Sequence, residues 1–322
     1  TYPLGRRNHL INGSMRVAQY AANNTAINTY GPVDRWRSFG GALDLTVSQQ
    51  TSAIAYDSGY ALRFARNNST SQTNATGICQ GLQTRDSTCF AGKKVTLSFK
   101  AECGANYSPT SSILVSKILT GEGTDQNPVN MTTTDTSNQN NTLSTSVQTF
   151  THTHTIPDDK TQMTVAFEFN PTGTAGANDW FQIGDVQLEI GEATPFELRP
   201  YAEELAECQY YYQTYMFTQQ TWIYNEGNAA NLKWIEAYFS PMRTSPTVVT
   251  SDLSTGSGTE PTGHNDRNIS SYSSISASGI GGTNSRGRCS IRATFSDTWG
   301  DSYKLRHTDG LNGDVVTFQA EL

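Results

Sequence analysis

The sequence predicts an all-β protein with an N-terminal jelly-roll sandwich, a short connecting helix and a smaller C-terminal β-sandwich domain. Three observations lead to this fold class: short runs with apolar residues at every second position, turn-rich segments between the runs, and one acidic helical segment. Hydrophobic residues make up 35% of the chain and charged residues only 16%. The length of 322 residues suits two β domains better than one.

The first domain is predicted over residues 1–200. Residues 94–99, 163–169 and 180–188 alternate apolar and polar side chains, which is typical of half-buried strands. Segments rich in Gly, Asn, Thr and Pro, such as 171–178, separate them and indicate loops. The number of such runs is sufficient for a jelly roll.

A connecting helix is predicted over residues 201–217. Glu203 and Glu204 fall in its first turn, where negative charge suits the helix dipole. Apolar and aromatic residues recur at spacings of three and four, which places them on one helix face. These residues are Leu205, Cys208, Tyr212 and Tyr215.

The second domain is predicted over residues 218–322. Strand patterns return at 234–239, 246–250, 290–295 and 315–322. Between them, residues 254–287 are dense in Ser, Gly and Thr, so we expect irregular strands or an exposed excursion there.

Charge and composition exclude several classes of partner. With a net charge of −7, the chain lacks the excess of positive charge that attracts a phosphate backbone, so we expect no nucleic-acid binding. No apolar run reaches about 18 residues, so we expect no membrane insertion. Five cysteines, an odd number, and an N-terminus without an apolar segment predict synthesis in a reducing cytoplasm. Cys79 and Cys89 either pair on one hairpin or remain free thiols.

Three segments of the chain carry distinctive motifs: residues 7–17, with Asn12 in the run Leu-Ile-Asn-Gly, then Asp34-Arg35-Trp36, and the stretch from Gln187 to Tyr211. They resemble motifs of a family of bacteriophage tail-fibre and virion-surface proteins, whose jelly roll is like that of carbohydrate-binding modules. Residues 7–17 resemble the start of that domain, and Asp34-Arg35-Trp36 resembles the motif that follows. Gln187 to Tyr211 is the most specific stretch, and the resemblance covers about residues 7–213.

The resemblance implies a virion-surface adhesin, assembled in the bacterial host cytoplasm, that forms a homotrimer and contacts other virion proteins. Its C-terminal domain would face the receptor and bind a host-surface polysaccharide through its loops. No collagen-like repeat or coiled-coil heptad precedes the jelly roll, so a capsid-decoration or head-fibre protein is an alternative. A polysaccharide depolymerase is a second alternative.

For catalysis the sequence offers no recognised motif, and we expect no enzyme activity and no catalytic residue. Abundant carboxylates leave a glycosidase pair as the competing interpretation. Asp179, Asp185 and Glu189 are the obvious candidates, because an unbroken strand would place them on one face. Turn and edge roles are the more common use of such residues.

Two metal sites are considered, although no cofactor is expected to be required. The segments that would carry a structural Ca²⁺ contain Asn12, Asp185 and Glu189. The competing interpretation, which is the more common use of such residues, is that they stabilise turns and form ion pairs. His152 and His154 share one strand face at a spacing that chelates transition metals. The Thr-rich flanks of that pair favour an exposed strand face instead.

Glycan recognition requires aromatic faces bordered by polar groups, and we expect it in the C-terminal domain. Trp36 and Trp234 sit in strand patterns and are expected in the core, whereas Trp299 lies in a polar turn. Arg286 and Arg288, at the end of the Ser-Gly loop, suit an acidic polysaccharide. The candidate glycan-binding residues are Trp222, Tyr224, Arg286, Arg288, Trp299 and Tyr303.

Overall fold

A computed structural model gives the structure of the chain in two compact units. The first contains Thr1–Cys208 together with Leu322, and the second contains Gln209–Glu321. The second unit therefore begins earlier than the predicted residue 218. The structure describes residues 6–20, 23–51, 53–216, 221–226, 229–244, 246–249, 272–278, 287–295, 303–305 and 315–322.

The N-terminal unit is built from short strands joined by turns, as the alternating runs predict. Two short helices accompany them, α1 at Thr84–Ser87 and α2 at Tyr201–Gln209. Its strands in chain order are β1 (Asn23–Asn24), β2 (Arg37–Gly40), β3 (Leu45–Thr51), β4 (Tyr60–Arg66), β5 (Thr76–Gly81), β6 (Lys94–Cys103), β7 (Ile113–Gly121), β8 (Thr133–Thr142), β9 (Gln148–Thr155), β10 (Gln162–Phe169) and β11 (Trp180–Ile190).

These strands form two antiparallel sheets. One has six strands in the order β1-β3-β4-β11-β6-β9, and the other has five in the order β2-β5-β10-β7-β8. Neighbours in the sheets are mostly distant in sequence, as in a jelly roll rather than a simple meander. The predicted all-β jelly-roll class is confirmed.

The core of the N-terminal unit lies between the two sheets and is rich in phenylalanine. Phe99 of the six-stranded sheet meets Phe167 of the five-stranded sheet edge to face, with ring centroids 4.7 Å apart. Phe64 stacks on Phe181 at 5.5 Å. Trp36 is fully buried, as its strand pattern predicts. Burying each such side chain contributes about 1.5–3 kcal/mol.

The connecting helix is shorter than predicted. Helix α2 ends at Gln209, and Tyr212–Met216 form a strand of the second unit. Tyr212 and Tyr215 therefore do not extend the apolar face that Leu205 and Cys208 begin. The aromatic residues favour a strand because they pair with a distant segment near the C-terminus.

The C-terminal unit contains two further antiparallel sheets. A three-stranded sheet has the order β12-β19-β15, and a five-stranded sheet has the order β16-β17-β14-β13-β18. No helix in the described part of the chain is long and apolar enough to span a membrane. The strands are β12 (Tyr212–Met216), β13 (Thr221–Glu226), β14 (Ala229–Phe239), β15 (Thr247–Val249), β16 (Tyr272–Ser278), β17 (Gly287–Phe295), β18 (Tyr303–Leu305) and β19 (Val315–Gln319).

Candidate functional site

An aromatic and polar cluster lies on the outer face of the six-stranded sheet. Strand alternation in β11 buries Phe181 and Ile183 in the core, which places Trp180 and Gln182 on the opposite face. The neighbouring strands β4 and β6 contribute Arg63 and Glu102 to the same face. We call Arg63, Glu102, Trp180 and Gln182 the Trp180 cluster.

The cluster is held by a chain of hydrogen bonds and a cation–π contact. The Arg63 guanidinium carbon lies 3.9 Å from the ring centroid of Trp180. Arg63 Nε and Nη2 donate to Gln182 Oε1 at 3.0 and 2.8 Å, and Gln182 Nε2 donates to Glu102 Oε1 at 2.5 Å. These contacts fix the Arg63 head group and leave Arg63, Glu102 and Trp180 partly exposed.

The indole of Trp180 packs against the backbone at Gly104. A Cβ added at Gly104 would lie 2.6 Å from Trp180 Nε1, so the ring can lie here only because residue 104 has no side chain. With the Arg63 contact, this packing preorganises the indole. Burial lowers the pKa of Arg63, although its guanidinium remains charged at neutral pH.

A second polar group lies on the same sheet and anchors the loop of residues 53–59. Lys100 Nζ lies 2.6 Å from Asp57 Oδ1 and 3.2 Å from Asp185 Oδ2. The backbone N–H groups of Asp57 and Ser58 donate to Asp185 at 2.6 and 3.1 Å. Tyr56 is buried in this loop, and burial raises the pKa of its phenol well above the ordinary value.

The three carboxylates considered for catalysis do not share one strand face. Asp185 has a positive φ of 49° and lies in a register shift of β11 between Gly184 and Gln187, so the assumption of an unbroken strand is wrong. Asp179 precedes β11 and forms a fully buried ion pair with Arg66 at 2.8 Å.

The residues considered for Ca²⁺ are each engaged with a different protein segment. Asn12 Nδ2 donates to the carbonyl oxygens of Val17 and Asp34 at 2.8 and 3.0 Å. Glu189 accepts from the backbone N–H and the hydroxyl of Thr194 at 2.9 and 2.5 Å. Asp185 holds the loop of residues 53–59, as given above. Within the described ranges, no group of three or more His, Cys, Asp and Glu side chains is placed to hold a metal ion.

The two histidines of β9 have separate partners. His152 Nδ1 lies 3.0 Å from Ser116 Oγ and its Nε2 lies 3.0 Å from Ser137 Oγ. His154 Nε2 lies 2.8 Å from Asp135 Oδ2. His152 is buried, so the expectation of an exposed face is wrong for this residue. Burial, and secondarily the charge of His154, lower the pKa of His152 to about 4.

Cys79, Cys89 and Cys103 are free thiols. Of the two interpretations of Cys79 and Cys89, the structure therefore supports free thiols. Burial raises the pKa of Cys79 to about 12, which makes it a poor nucleophile.

The strand register of the C-terminal unit places the candidate glycan residues Trp222, Tyr224 and Arg288 on one face of the five-stranded sheet and Tyr303 on the opposite face. Trp222 and Tyr224 share one face of β13, whereas Tyr303 pairs with Ile223 and so belongs to the opposite face. Arg288 lies in β17, opposite Tyr238 of β14. Trp299 and Arg286 lie outside the described residues.

Trp180 is a candidate binding residue that the sequence pattern of residues 180–188 did not predict. The pattern predicts a strand, and the residues of that strand that face away from the core are the ones available for binding. Because Phe181, Ile183 and Leu188 are the apolar members of the run, alternation around Phe181 was the available signal.

Comparison with known proteins assigns no family. No family model matches the chain, and no curated protein matches it. Solved structures with similar arrangements include an enzymatically active domain of tailspike protein 4 from bacteriophage CBA120, at 13% identity and a TM-score of 0.38. The match covers 57% of this chain and only 21% of the tailspike chain.

Carbohydrate-binding modules are also among the similar structures. A family 4 module is 21% identical with a TM-score of 0.34, and the match covers 56% of this chain and 98% of the module. A xylan-binding family 22 module from Paenibacillus barcinonensis is 15% identical with a TM-score of 0.33, covering 53% of this chain and 92% of the module. At these TM-scores the matches carry no argument about function. The chain's own sheets define it as an all-β protein with a jelly-roll sandwich.

Proposed function

We propose that this chain is a non-catalytic, glycan-binding adhesin on the surface of a bacteriophage particle. The observation that carries the proposal is the Trp180 cluster, which offers a partly exposed aromatic ring, guanidinium and carboxylate on one sheet face, held by the buried amide of Gln182. The sequence resemblance over residues 7–213 supports the virion setting. The C-terminal region, 218–322, is proposed as the part that faces the host.

The chemistry of the cluster suits a sugar. A pyranose ring presents C–H groups that pack on an aromatic face, and its hydroxyl groups both donate and accept hydrogen bonds. Arg63 supplies donors and Glu102 supplies acceptors, whereas Gln182 is buried between them and holds both groups in place. A polyanionic nucleic acid is disfavoured because the chain carries a net charge of −7.

Binding rather than hydrolysis is favoured by the roles of the carboxylates on this sheet. A glycosidase needs two carboxyl groups facing one another across a substrate. Asp185 and Glu189 instead accept backbone N–H groups from loops, and Asp179 is buried against Arg66. We therefore expect purified protein to leave the host polysaccharide at its original length, and shortened chains would favour a depolymerase.

Binding of the full chain to isolated host-surface polysaccharide tests the proposal. Trp180→Ala should weaken binding by at least about tenfold, the equivalent of about 1.4 kcal/mol for a central aromatic contact. Tyr201→Ala is the matched control, because Tyr201 is also an exposed aromatic residue near a guanidinium, that of Arg16 at 5.5 Å. An absence of binding by the unmodified chain at micromolar concentration would refute the proposal.

The virion location and the trimer are tested separately. Gold-labelled antibody against the chain should decorate the tail in electron micrographs of intact particles. Labelling of the head would favour a decoration or head-fibre protein. Sedimentation equilibrium should give a mass near three chains, and a mass near one chain would exclude the homotrimer.

A further inference from the structure

Three rows of residues cross the outer face of the six-stranded sheet at the Trp180 cluster. Residues paired directly across antiparallel strands share a face, so the strand register gives the members of each row. The middle row crosses four strands, from β3 through β4 and β11 to β6. Its members are Ser48, Arg63, Gln182 and Glu102. The middle row therefore extends the Trp180 cluster as far as β3.

Trp180 borders the middle row on one side. It lies two residues before Gln182 in β11, about 7 Å along the strand. Its row contains small residues on the neighbouring strands: Ala65 of β4 pairs with Trp180, and Thr46 of β3 pairs with Ala65. On the side of β6, the N–H of Gly104 donates to the carbonyl oxygen of Trp180 at 2.8 Å. The partly exposed indole is therefore the largest side chain of this row.

The loop of residues 53–59 borders the middle row on the other side. Gly184 and Lys100 are paired in the third row, and a Cβ added at Gly184 would lie 2.6 Å from a ring atom of Tyr56. Lys100 Nζ donates to the carbonyl oxygen of Ala55 at 3.4 Å. The loop therefore lies on the outer face of the sheet, and these contacts are one row, about 7 Å, from the middle row.

This loop presents an apolar side chain to solvent. Ile54 is 94% exposed, the highest value among the large hydrophobic residues that the structure describes. The N–H of Ala53 donates to the carbonyl of Gly59 at 2.9 Å, and the N–H of Gly59 donates to that of Tyr56 at 3.0 Å. Asp185 adds the two hydrogen bonds described above. The loop is thus preorganised to hold an aliphatic residue beside the polar middle row, where the apolar face of a sugar ring can contact it.

The charges around the middle row are balanced. Arg63 and Glu102 are bridged by a side-chain amide. Lys100 lies 2.6 Å from Asp57 and 3.2 Å from Asp185. Each of the two positive side chains therefore has a carboxylate close by. This surface offers no excess of positive charge to a carboxylate or phosphate group of a ligand, which favours a neutral glycan.

We infer that the middle row, the Trp180 indole and the loop of residues 53–59 form one shallow groove that binds an internal segment of a neutral, linear polysaccharide. This inference rests on the glycan-binding function proposed above. Ser48 and Glu102, at the two ends of the row, are both partly exposed, and residues 144–146 next to β6 are small and exposed. A bound chain can therefore continue beyond the groove.

The length of the middle row sets the number of sugar units that the groove holds. Four strands span three strand spacings, or about 14 Å between the outer two. Because the repeat of an extended pyranose chain is close to one strand spacing of about 4.8 Å, the row accommodates about four units. We therefore expect affinity to depend on chain length up to about four units.

Binding of sized oligosaccharides to the full chain tests the inference. The probes are fragments of the isolated host-surface polysaccharide, from one unit to eight, prepared by partial hydrolysis and titrated calorimetrically. The affinity should rise at least about tenfold from one unit to four and change by less than about twofold from four to eight. A single unit that binds as tightly as eight would overturn the inference. So would a loss of about tenfold or more on raising the salt concentration tenfold, which would indicate a charged ligand.

Two variants test the walls and the ends of the groove. Ile54→Ala shortens an exposed side chain and should weaken binding of the four-unit fragment at least about threefold. Its control is Leu198→Ala, which shortens an exposed aliphatic residue outside the three rows. Ser48→Trp fills one end of the middle row and should weaken binding of the four-unit and eight-unit fragments at least about tenfold. Its control is Thr151→Trp, on the exposed outer face of β9, where Thr151 pairs with Ser98.

The outcomes separate this inference from the proposed function. Circular dichroism spectra that match the unmodified chain establish that each variant is folded. If the polysaccharide binds but Ile54→Ala and Ser48→Trp bind it as the unmodified chain does, the inference is overturned and the adhesin proposal stands. If the unmodified chain binds neither the polysaccharide nor its fragments, both fail.

Discussion

His152 makes the stability of the N-terminal unit depend on pH. Its ring lies between Ser116 and Ser137 inside the sandwich, where burial lowers its pKa from the ordinary 6.5 to about 4. Between these values the unfolded chain binds a proton that the folded chain does not. Stability from His152 is therefore complete above about pH 7 and is lost as the pH falls toward 4.

The size of the loss follows from the two pKa values. One pKa unit corresponds to about 1.36 kcal/mol, so the full shift corresponds to about 3 kcal/mol and the part lost by pH 5 to about 2 kcal/mol. His152→Gln keeps polar atoms near both serines but does not titrate. We therefore expect the unfolding free energy of this variant to lack the loss of about 2 kcal/mol at pH 5 that His152 causes.

Urea unfolding at pH 7.5 and pH 5 measures the effect, with tryptophan fluorescence as the signal because Trp36 is buried in the same core. The carboxylates titrate alike in the unmodified chain and in His152→Gln. The difference between the two proteins in how the free energy of unfolding changes with pH therefore gives the contribution of His152. Ile118→Val is the control, since it destabilises the same core by about 0.5–1.5 kcal/mol without removing a titrating group. Equal pH dependences in the unmodified chain and His152→Gln would refute the reasoning.

Three further predictions concern buried groups. Asp179→Asn leaves the buried guanidinium of Arg66 without its counterion, and we expect a loss of about 3–5 kcal/mol in the free energy of unfolding by urea titration; a loss below 1 kcal/mol would contradict it. A Cβ at Gly77 would lie 2.0 Å from a carbonyl oxygen of β10, so Gly77→Ala should cost about 1–3 kcal/mol and lower the melting temperature. In the folded protein, maleimide should modify the half-buried Cys89 before the buried Cys79, and peptide mass spectrometry measures the order. Early modification of Cys79 would show that β5 is not buried.

The sequence predicted the strands well where the period-two pattern was unbroken. The run 163–169 became β10 at Gln162–Phe169, and 180–188 became β11 at Trp180–Ile190. Local alternation decides such strands because each apolar side chain meets the same core. The adjacent Asp179, Trp180 and Phe181 take three environments: a buried ion pair, the outer face and the core.

The sequence predicted the site less well, for reasons that are not local. The bulge at Asp185, where φ is positive, reverses the expected faces beyond it, and it is held by contacts with residues distant in sequence, among them the loop of residues 53–59. The end of α2 at Gln209 depends on pairing between β12 and β19, about a hundred residues apart. The burial of His152 depends on Ser116 and Ser137, which belong to the other sheet.

The segment that carries the family resemblance, residues 187–211, has a structural role that accounts for its distinctive sequence. Gln187 binds the backbone of the loop 194–197, and Arg199 pairs with buried Glu204 at 2.6 Å while also donating to the carbonyl of Leu10. Such buried polar groups tolerate little change, because each lost partner leaves a desolvated atom. The buried contacts of this segment therefore account for the sandwich that the resemblance predicts, whereas the proposal of ligand binding depends on the exposed Trp180 cluster.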